Sequence, residues 1–455
     1  MRRKMKRITA GLLSMSMVFA AVGCGGGNAP ESSGTSDERA EQEPDTRAGE
    51  QVAEGEAASS GETADLMIWL AGSGDATNDE AYRAIFDKWI EENAPGSTYE
   101  LSFVGWGEYA TKLSVALASG EGPDLFMSGY GMFGSFQAQD YMLNLSEYIP
   151  HDWDGYTDIG ENFLDAGKVD GDIYGILEPA TRLLMYRKDI AEQNGVTEEE
   201  LQVDSLDDLE NLAKKMCVTD DAGNLAMSGL ELMSTAVGPN DPAQIYSLVA
   251  RNIDFDNAGL WDAEGKAVFA GDCGIRTFEY LKKLYEAGVS LPSESGDNTS
   301  GIVSGLASMC ITAESGYGSA DAAFPGQIGI VPCSLNTLLI GNFMCVNAGT
   351  AYKEQAVDLL LYMFNEESCK KKAEALGAYS LRDSLKDWYI ETFPHMAVVP
   401  EYYSNSYAFG PTAIPYYNEG ITIFRNASEQ IMAANADIAA TLTDAAAQWD
   451  ALKTN

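Results

Sequence analysis

Apolar and polar positions after residue 64 alternate in a way that predicts short strands and helices in turn. Residues 66–70 form an apolar run that ends at a glycine-rich stop, which is typical of a buried parallel strand. Residues 78–92 carry aromatic and aliphatic side chains at helical spacing. A strand at 99–104, a helix at 106–117 and a strand at 125–127 follow. This order predicts an α/β fold with helices packed on a mostly parallel sheet.

The same alternation continues to the end of the chain, with longer helices and no internal repeat. Residues 220–224 have the composition of a hairpin turn. The predicted helices are 204–216, 274–287, 353–364, 366–376 and 429–452, and the predicted strands are 306–311, 328–331 and 337–346.

The first 24 residues have the layout of an export signal. Residues 1–7 carry five positive charges, and the apolar stretch 8–22 is too short to span a bilayer. Small residues lead to Cys24 in a pattern that resembles a bacterial lipobox, which implies removal of residues 1–23 and lipidation of Cys24. The alternative is an ordinary signal peptide that ends near a cysteine.

Residues 24–64 predict a disordered tether. The segment after Cys24 is rich in Gly, Ser, Glu and Ala and has no aromatic residue, so it cannot bury enough apolar surface to offset its chain entropy. Such a segment suits a domain that stands off a membrane surface. No later stretch of the sequence is long and apolar enough to span a bilayer.

Composition and charge narrow the class further. The sequence has 455 residues and a formal net charge of −40, which disfavours binding to nucleic acid or anionic lipid. The part after residue 64 is long enough for two lobes. The chain has 69 acidic residues, so carboxylate pairs arise by chance and do not by themselves indicate a glycosidase. Its two histidines, His151 and His395, are far apart in sequence, which argues against a catalytic triad or a histidine metal site.

Six cysteines follow Cys24, and no two of them form a C-x-x-C pair or a zinc or iron–sulfur spacing. Three of them lie in apolar runs, where cysteine behaves as a small buried hydrophobe. We therefore favour free thiols over disulfides, which an exported protein could also form. Residues 254–265 resemble a calcium loop only in part, because Gly265 stands where a glutamate is needed. The sequence thus predicts no metal and no cofactor.

Six segments in the same order resemble the family 1 extracellular solute-binding proteins of ABC importers, the maltose-binding-protein-like group. Arg187 departs from the family, which usually has Asn there, and Tyr317 lies near a usual Trp. The segments are 66–70, 109–125 with its Gly-Pro-Asp, 169–176, 183–190, 304–317 and 341–363.

The resemblance implies a type II periplasmic-binding fold, in which each of two lobes is a sheet flanked by helices. Lobe one would comprise 65–180 plus 340–378, and lobe two 181–339 plus 379–455. Three crossings would join them near 178–183, 338–342 and 377–382. Hinge closure of two lobes around a ligand is established for periplasmic binding proteins as a class.

The implied function is a lipid-anchored, extracytoplasmic receptor of a Gram-positive cell. It would bind a sugar or oligosaccharide without catalysis, act as a monomer, and deliver the solute to the transmembrane subunits of an ABC permease. Two alternatives stay open. The same fold could bind a peptide, a polyamine or an acidic solute, or the chain could be a surface glycoside hydrolase.

A sugar site needs aromatic rings for the C–H faces and polar groups for the hydroxyls, and strand ends of an α/β sheet supply both. Each of several candidates also has an explanation without a ligand. Ser73 and Asp75 could simply form a turn, and Tyr130 could pack in the core of its lobe. Arg182 could form a salt bridge between the lobes. The aromatic segment 402–417 predicts a loop that either stacks on ligand or packs on lobe two. The candidate ligand-binding residues are Ser73, Asp75, Ser128, Tyr130, Gly131, Glu178, Arg182, Glu314, Ser315, Tyr317, Asn342, Tyr379, Arg382 and Tyr403.

Overall fold

The computed structural model describes residues 63–72, 76–231, 242–287, 289, 300–411 and 413–453. For Ser300 and Ser315 it describes the backbone alone. The predicted signal peptide, the predicted lipidation site Cys24 and the predicted tether up to residue 62 lie outside the described residues, and so do Ser73 and Asp75.

Fourteen strands and eighteen helices are formed by the described residues. The strands are β1 Asp65–Ala71, β2 Thr98–Val104, β3 Leu125–Gly129, β4 Lys168–Val169, β5 Asp172–Ile173, β6 Ile176–Ala180, β7 Leu183–Arg187, β8 Val218–Thr219, β9 Leu225–Met227, β10 Met309–Thr312, β11 Ile328–Ile330, β12 Thr337–Leu338, β13 Ile340–Val346 and β14 Ser406–Tyr407. The helices are α1 Ala76–Glu92, α2 Trp106–Ser119, α3 Tyr130–Ala138, α4 Gly155–Asp158, α5 Glu161–Ala166, α6 Lys188–Gln193, α7 Glu198–Leu201, α8 Leu206–Lys215, α9 Pro242–Ile253, α10 Asp272–Glu286, α11 Ser300–Val303, α12 Ser315–Ala323, α13 Lys353–Met363, α14 Glu366–Leu376, α15 Lys386–Thr392, α16 Val399–Ser404, α17 Tyr417–Met432 and α18 Ile438–Leu452.

The first sheet has five strands in the order β2-β1-β3-β13-β6. β1 is parallel to β2 and β3, as the alternation of strands and helices predicts, while β13 runs antiparallel to β3 and β6. All five residues of β3 are buried, which explains why the sequence shows an apolar run there and no period of two. We call this sheet with the helices on it lobe one.

Helix α1 covers one face of this sheet because its apolar side chains recur every three or four residues. Tyr82, Ile85, Phe86 and Trp89 are all buried. The indole of Trp89 donates a hydrogen bond of 2.7 Å to a carboxylate oxygen of Asp358 on α13, so the apolar face also carries a satisfied polar group.

The second sheet contains β10, β7 and β11, with β7 in the middle and antiparallel to both neighbours. We call this sheet with its helices lobe two. An aromatic core joins α9, α10, α17 and α18 with Phe269, which lies just before α10. Phe424 of α17 lies 5.0 Å from the ring of Tyr246 on α9, 5.0 Å from Phe269 and 6.0 Å from Phe278 on α10, while Trp449 of α18 packs on Phe269.

The chain passes between the two sheets through short segments. β6 ends at Ala180 in the first sheet and β7 begins at Leu183 in the second, so Thr181 and Arg182 span the gap. The chain returns at Leu339, which separates β12 from β13. Thr181 Oγ1 donates to the carbonyl of Leu338 at 3.2 Å, which ties the two segments to each other.

The prediction of one helix over 429–452 is wrong. The segment forms the end of α17 and all of α18, separated by a turn in which Asn435 has a φ of 56°. Asp437 then starts α18, because its carboxylate accepts a 2.8 Å hydrogen bond from the amide of Ala440. Alanines on both sides of the break continue the helical pattern and hide it.

The prediction of a loop over 402–417 is also wrong in part. Tyr402 and Tyr403 lie on α16 and are fully buried, and Phe409 in the loop beyond is buried too. Pro400 suggests a loop in the sequence, but it occupies the first turn of α16, where proline needs no amide hydrogen. The packing interpretation of these aromatic residues therefore holds.

The six cysteines of the described residues are all free thiols, as expected, and all but Cys217 are buried. Burial raises the pKa of the Cys333 thiol to about 11 and that of Cys310 further, so these thiols stay protonated at neutral pH. Among the described residues, no helix combines the length and the apolar character needed to cross a membrane.

Candidate ligand-binding site

A cavity of about 930 Å³ lies between the two lobes, at the upper end of the volumes typical of small-molecule sites. Lobe one contributes the start of α1, the end of β6, the start of β13, and α14 with the segment after it. Lobe two contributes the segment after β10. We call this space the Glu314 cavity. Four of the predicted residues line it: Glu178, Glu314, Asn342 and Tyr379.

Strand pairing explains why residues so far apart in sequence meet there. β6 ends and β13 begins at the same edge of the first sheet, with Asn342 paired to Glu178 on one side and to Gly129 on the other. β10 ends at Thr312 next to the start of β7, so Glu314 follows at the facing edge of the second sheet. Strand ends in α/β sheets are where ligand-contacting residues are expected.

Glu314 is the most unusual group in the wall. Its side chain is buried with 8% exposure, and its Oε1 accepts a hydrogen bond from the hydroxyl of Tyr403. Its Oε2 has no hydrogen-bond partner among the described residues. Burial raises the pKa of this carboxyl, against the opposing effects of the Tyr403 hydrogen bond and the positive charge of Arg182. A buried carboxyl with an unsatisfied oxygen is costly, so Glu314 marks a position in the wall that would be stabilised by a further hydrogen-bond donor.

Two tyrosine rings support this carboxyl. Tyr379 stacks on Tyr403 with ring centroids 4.5 Å apart and planes inclined by 23°. The hydroxyl oxygen of Tyr403 also lies 3.2 Å from the carbonyl of Pro179 at the end of β6. Tyr379 therefore presents its ring to the cavity, while Tyr403 stands behind Glu314 and holds it.

Glu178 is already paired within lobe one. Its Oε1 lies 2.7 Å from Nζ of Lys372 on α14, and its Oε2 accepts a 3.2 Å hydrogen bond from the hydroxyl of Tyr82 on α1. Burial alone would lower the pKa of Lys372, but the carboxylate of Glu178 outweighs it and the pKa is raised. Lys372 stays charged, so this part of the wall is a neutralised pair.

Arg182 lies within the first crossing and does not reach the cavity wall. Its Nε donates to the side-chain oxygen of Gln244 at 2.6 Å, and its Nη1 donates to the carbonyl of Thr181 at 3.2 Å. Burial lowers the pKa of Arg182 to about 10, with the charge of Glu314 opposing this effect. The guanidinium forms no ion pair with a carboxylate of the described chain, so the salt-bridge alternative for Arg182 is not observed.

Arg382 is placed away from the cavity, in an ion-pair cluster of lobe one. Its Nη2 lies 2.8 Å from Asp154 Oδ1, its Nη1 lies 2.9 Å from Asp158 Oδ2, and its Nε donates to the carbonyl of Phe364 at 2.6 Å. The guanidinium is buried with 3% exposure. These contacts engage the whole fork, so Arg382 anchors the segment after α14.

Tyr130 lies at a second cavity, of about 790 Å³, that also involves Phe133, Arg251 and Tyr417. The ring of Tyr130 is 5.5 Å from that of Tyr417. Phe343 faces this cavity and its neighbour Asn342 faces the Glu314 cavity, and successive strand residues point to opposite faces. The two cavities therefore lie on opposite faces of the first sheet.

The remaining predicted residues are not grouped by the structure. Ser128 is fully buried, with its hydroxyl 3.3 Å from the carbonyl of Gly129. A Cβ at Gly131 would lie 2.8 Å from the ring of Tyr417, so glycine there permits close packing of α3 and α17. Tyr317 packs its ring on His395, with 5.1 Å between centroids. The Ser315 side chain lies outside the described atoms.

Lys372 and Tyr82 are among the wall residues that sequence reasoning does not find. Lys372 lies in a run of charged residues on α14, and such a run normally indicates an exposed helix face. Tyr82 belongs to the apolar stripe of α1, so the pattern assigns it to the core. Neither position carries a local signal, because each gains its role from a strand that is distant in sequence.

Comparison with known proteins identifies the family and the fold. The model of the family described as bacterial extracellular solute-binding protein matches residues 84–398. A relative, the arabinooligosaccharide-binding protein of Bacillus subtilis (strain 168), is 25% identical over 254 residues. That match covers 54% of this chain and 53% of the relative, so the chain spans about half of the relative's length.

Solved structures share the two-lobed fold. An ABC transporter solute-binding protein from Thermotoga lettingae, bound with α-D-tagatose, superposes with a TM-score of 0.70 at 20% identity over 86% of this chain and 100% of that chain. The cyclic α-maltosyl-1,6-maltose-binding protein of Arthrobacter globiformis gives a TM-score of 0.71 at 19% identity over 86% and 99%. The family resemblance and the α/β two-lobe fold expected from the sequence are thus confirmed. The chain belongs to the bacterial extracellular solute-binding protein family.

Proposed function

We propose that this chain is the receptor of an ABC importer, and that it binds a sugar or oligosaccharide in the Glu314 cavity and delivers it to the permease. One observation carries the proposal. Glu178 and Asn342 of lobe one and Glu314 of lobe two line the same interlobe cavity, so a single solute placed there can meet carboxyl and amide groups of both lobes. The solutes named for the relatives support the choice of a sugar.

The other groups in the wall suit a polyhydroxylated solute. Asn342 can donate and accept hydrogen bonds through its amide, and Thr77 and Asn78 at the start of α1 offer further polar groups. The ring of Tyr379 can cover an apolar C–H face. Carboxylate, amide and aromatic groups together form the combination that sugar recognition requires.

Binding at this place would bias the relative position of the lobes. Glu178 and Asn342 belong to lobe one and Glu314 to lobe two, so a solute that contacts all three stabilises the closed arrangement. Closure is the signal that a permease can read.

The enzyme alternative predicts a different use of the same carboxyls. Glu178 and Glu314 both line the cavity, but Glu178 is paired with Lys372 and hydrogen-bonded to Tyr82, so both of its oxygens are engaged. We therefore propose binding without bond cleavage. Incubation of each bound oligosaccharide with the protein, followed by chromatography of the solution, should return the intact sugar, and shorter products would support the hydrolase instead.

Membership in an extracellular family implies an extracytoplasmic location. We propose that the signal peptide 1–23 is removed, that Cys24 carries the lipid, and that residues 24–64 tether a monomeric receptor. The sequence before Cys24 and the acidic, aromatic-free segment after it support this. Replacing Cys24 with Ser should release the protein from the membrane into the medium, and retention of the variant would contradict the anchor.

A thermal-shift screen tests the binding proposal. Monosaccharides and trisaccharides of arabinose, glucose and mannose are compared at equal concentration with a tripeptide, spermidine and citrate. A solute that binds the native state raises the melting temperature in proportion to the logarithm of its concentration. We expect at least one sugar to do so. A shift with spermidine, the tripeptide or citrate alone would replace sugar by that solute class.

A further inference from the structure

Trp106 is an exposed aromatic residue at the ligand-binding edge of lobe one. It is the first residue of α2, directly after β2, and its relative exposure is 51%. Of the tryptophans in the described part of the chain, it is the only one that is exposed. Exposure of so large an apolar side chain forgoes the stabilisation that burial would give.

The ring reaches well beyond its own strand. A Cβ on Gly129, at the end of β3, would lie 3.3 Å from Cζ3 of Trp106, and a Cβ on Gly72, after β1, would lie 3.8 Å from its Nε1. The indole therefore spans the carboxyl ends of β1 and β3. A Cβ at Gly129 would press against the ring, whereas one at Gly72 would meet it at ordinary contact distance.

A tyrosine of the same helix holds the indole of Trp106 in place. Tyr109, one helical turn further along α2, meets it edge-on with 6.0 Å between centroids. The Tyr109 hydroxyl oxygen lies 2.6 Å from the carbonyl of Met127 and 3.0 Å from that of Trp69, which ties it to β3 and β1. A ring that is rigidly supported on one side and open on the other loses little entropy when a ligand stacks on it.

The Glu314 cavity begins one strand away. Gly129, beneath the indole, is paired with Asn342 of β13, and Asn342 lines the cavity. Asn342, Gly129 and Trp106 thus follow one another at one edge of the first sheet, and Asn342 lines the same cavity as Glu314. Trp106 itself is not among the residues that line the cavity.

We propose that Trp106 is a stacking platform for a distal ring of the ligand, and that the natural ligand is therefore an oligosaccharide of at least two rings. One ring occupies the Glu314 cavity and another lies on the indole. The inference rests on the proposed function and specifies the substrate class for that site. If Trp106 only packs at the start of α2, its replacement should affect the binding of short and long ligands alike.

Acrylamide quenching of the intrinsic fluorescence of the unmodified protein gives the first test. Trp106 is the one exposed tryptophan of the described residues, while Trp69, Trp153 and Trp388 are half-buried, so Trp106 is the most accessible to the quencher. Arabinotriose, maltotriose or mannotriose, whichever raises the melting temperature most, should reduce quenching markedly. The matching monosaccharide at saturation should reduce it much less.

Binding calorimetry gives the second test. Trp106→Ala should weaken the trisaccharide about tenfold and change the monosaccharide less than about twofold, and Trp106→Phe should recover part of the loss. Tyr156→Ala, which removes another exposed aromatic residue of lobe one, is the matched control and should bind both sugars normally.

The outcomes are distinguishable. If the trisaccharide binds but quenching and the affinity of Trp106→Ala are unchanged, the platform is refuted and the sugar receptor stands. If Trp106→Ala weakens the binding of the monosaccharide and of the trisaccharide equally, Trp106 acts through the fold and the platform is likewise refuted. If no sugar binds the unmodified protein, the proposed function fails and the platform with it.

Discussion

The hydroxyl of Tyr403 on α16 donates a hydrogen bond to Oε1 of Glu314, which follows β10 more than eighty residues earlier in the chain. This contact fixes a buried carboxyl in the wall of the interlobe cavity, where we propose that the solute binds. The orientation of the central ligand contact is therefore set by a helix that the solute need not touch.

Tyr403→Phe should destabilise the fold, because it deprives a buried carboxyl of its hydrogen-bond donor. We expect a loss of about 1–3 kcal/mol in the free energy of unfolding, measured with urea. Tyr389→Phe is the matched control, because the buried hydroxyl of Tyr389 has no partner among the described residues and its removal should cost less than about 0.5 kcal/mol. Equal losses in the two variants would contradict the role given to Tyr403.

Glu314 should make the stability of the protein depend on pH. Its pKa is raised in the folded state, so the folded protein binds this proton more tightly than the unfolded chain. The stabilising contribution is complete below the ordinary value of 4.5 and is lost as the pH rises through the raised pKa. The melting temperature of the unmodified protein should therefore fall relative to that of Glu314→Gln as the pH rises above 4.5.

Glu108→Gln is the control, because the pKa of Glu108 is shifted in the opposite direction. Lys112 lowers the pKa of this exposed carboxyl, so removal of its charge should not reproduce the fall. A constant difference in melting temperature between the unmodified protein and Glu314→Gln across the pH series would show that the Glu314 pKa is not raised.

Lys372→Met should be costly because it leaves the carboxylate of Glu178 without its cation in a largely buried site. We expect a loss of about 3 kcal/mol in the free energy of unfolding, of which Glu178→Gln in the double variant should restore a part. Lys112→Met removes an exposed lysine paired with Glu108 and should cost less than about 0.5 kcal/mol. A Lys372→Met variant as stable as Lys112→Met would contradict the buried pair.

Arg382→Lys tests whether Arg382 acts in stability or in ligand binding. Lysine keeps the charge but cannot reach Asp154, Asp158 and the carbonyl of Phe364 at once, so we expect a loss of about 2 kcal/mol in stability. Ligand affinity, measured by calorimetry below the melting temperature, should stay within about twofold. A variant with normal stability and weakened ligand binding would show instead that Arg382 contributes to the ligand site.

Much of lobe one could be predicted from the sequence. The run around Ile68 is short, apolar and followed by glycine, and the stripe from Tyr82 to Trp89 has an unambiguous helical period. Both signals are local, because they depend on burial of one element against its neighbour. Asn342 and Glu178, by contrast, are placed at the expected crossings by the family resemblance and not by a local pattern.

The rest of the site depends on contacts that no local pattern encodes. Tyr403 was predicted as a ligand contact in a loop, but it stands behind Glu314 on a helix. Arg382 is a candidate because it lies at the third expected crossing, yet three acceptors of lobe one already engage its guanidinium. A side chain next to a crossing can face the cavity or the core, and only the packing of distant elements decides which.

Calorimetric titration of arabinotriose, maltotriose and mannotriose into the unmodified protein and into Glu314→Ala tests the central claim most directly. Lys112→Met serves as the control. We predict that one trisaccharide binds the unmodified protein and the control at a ratio of one to one, and that Glu314→Ala weakens it by about tenfold or more, since the ligand loses its buried acceptor. Equal affinity in the unmodified protein and Glu314→Ala would contradict binding at the Glu314 cavity.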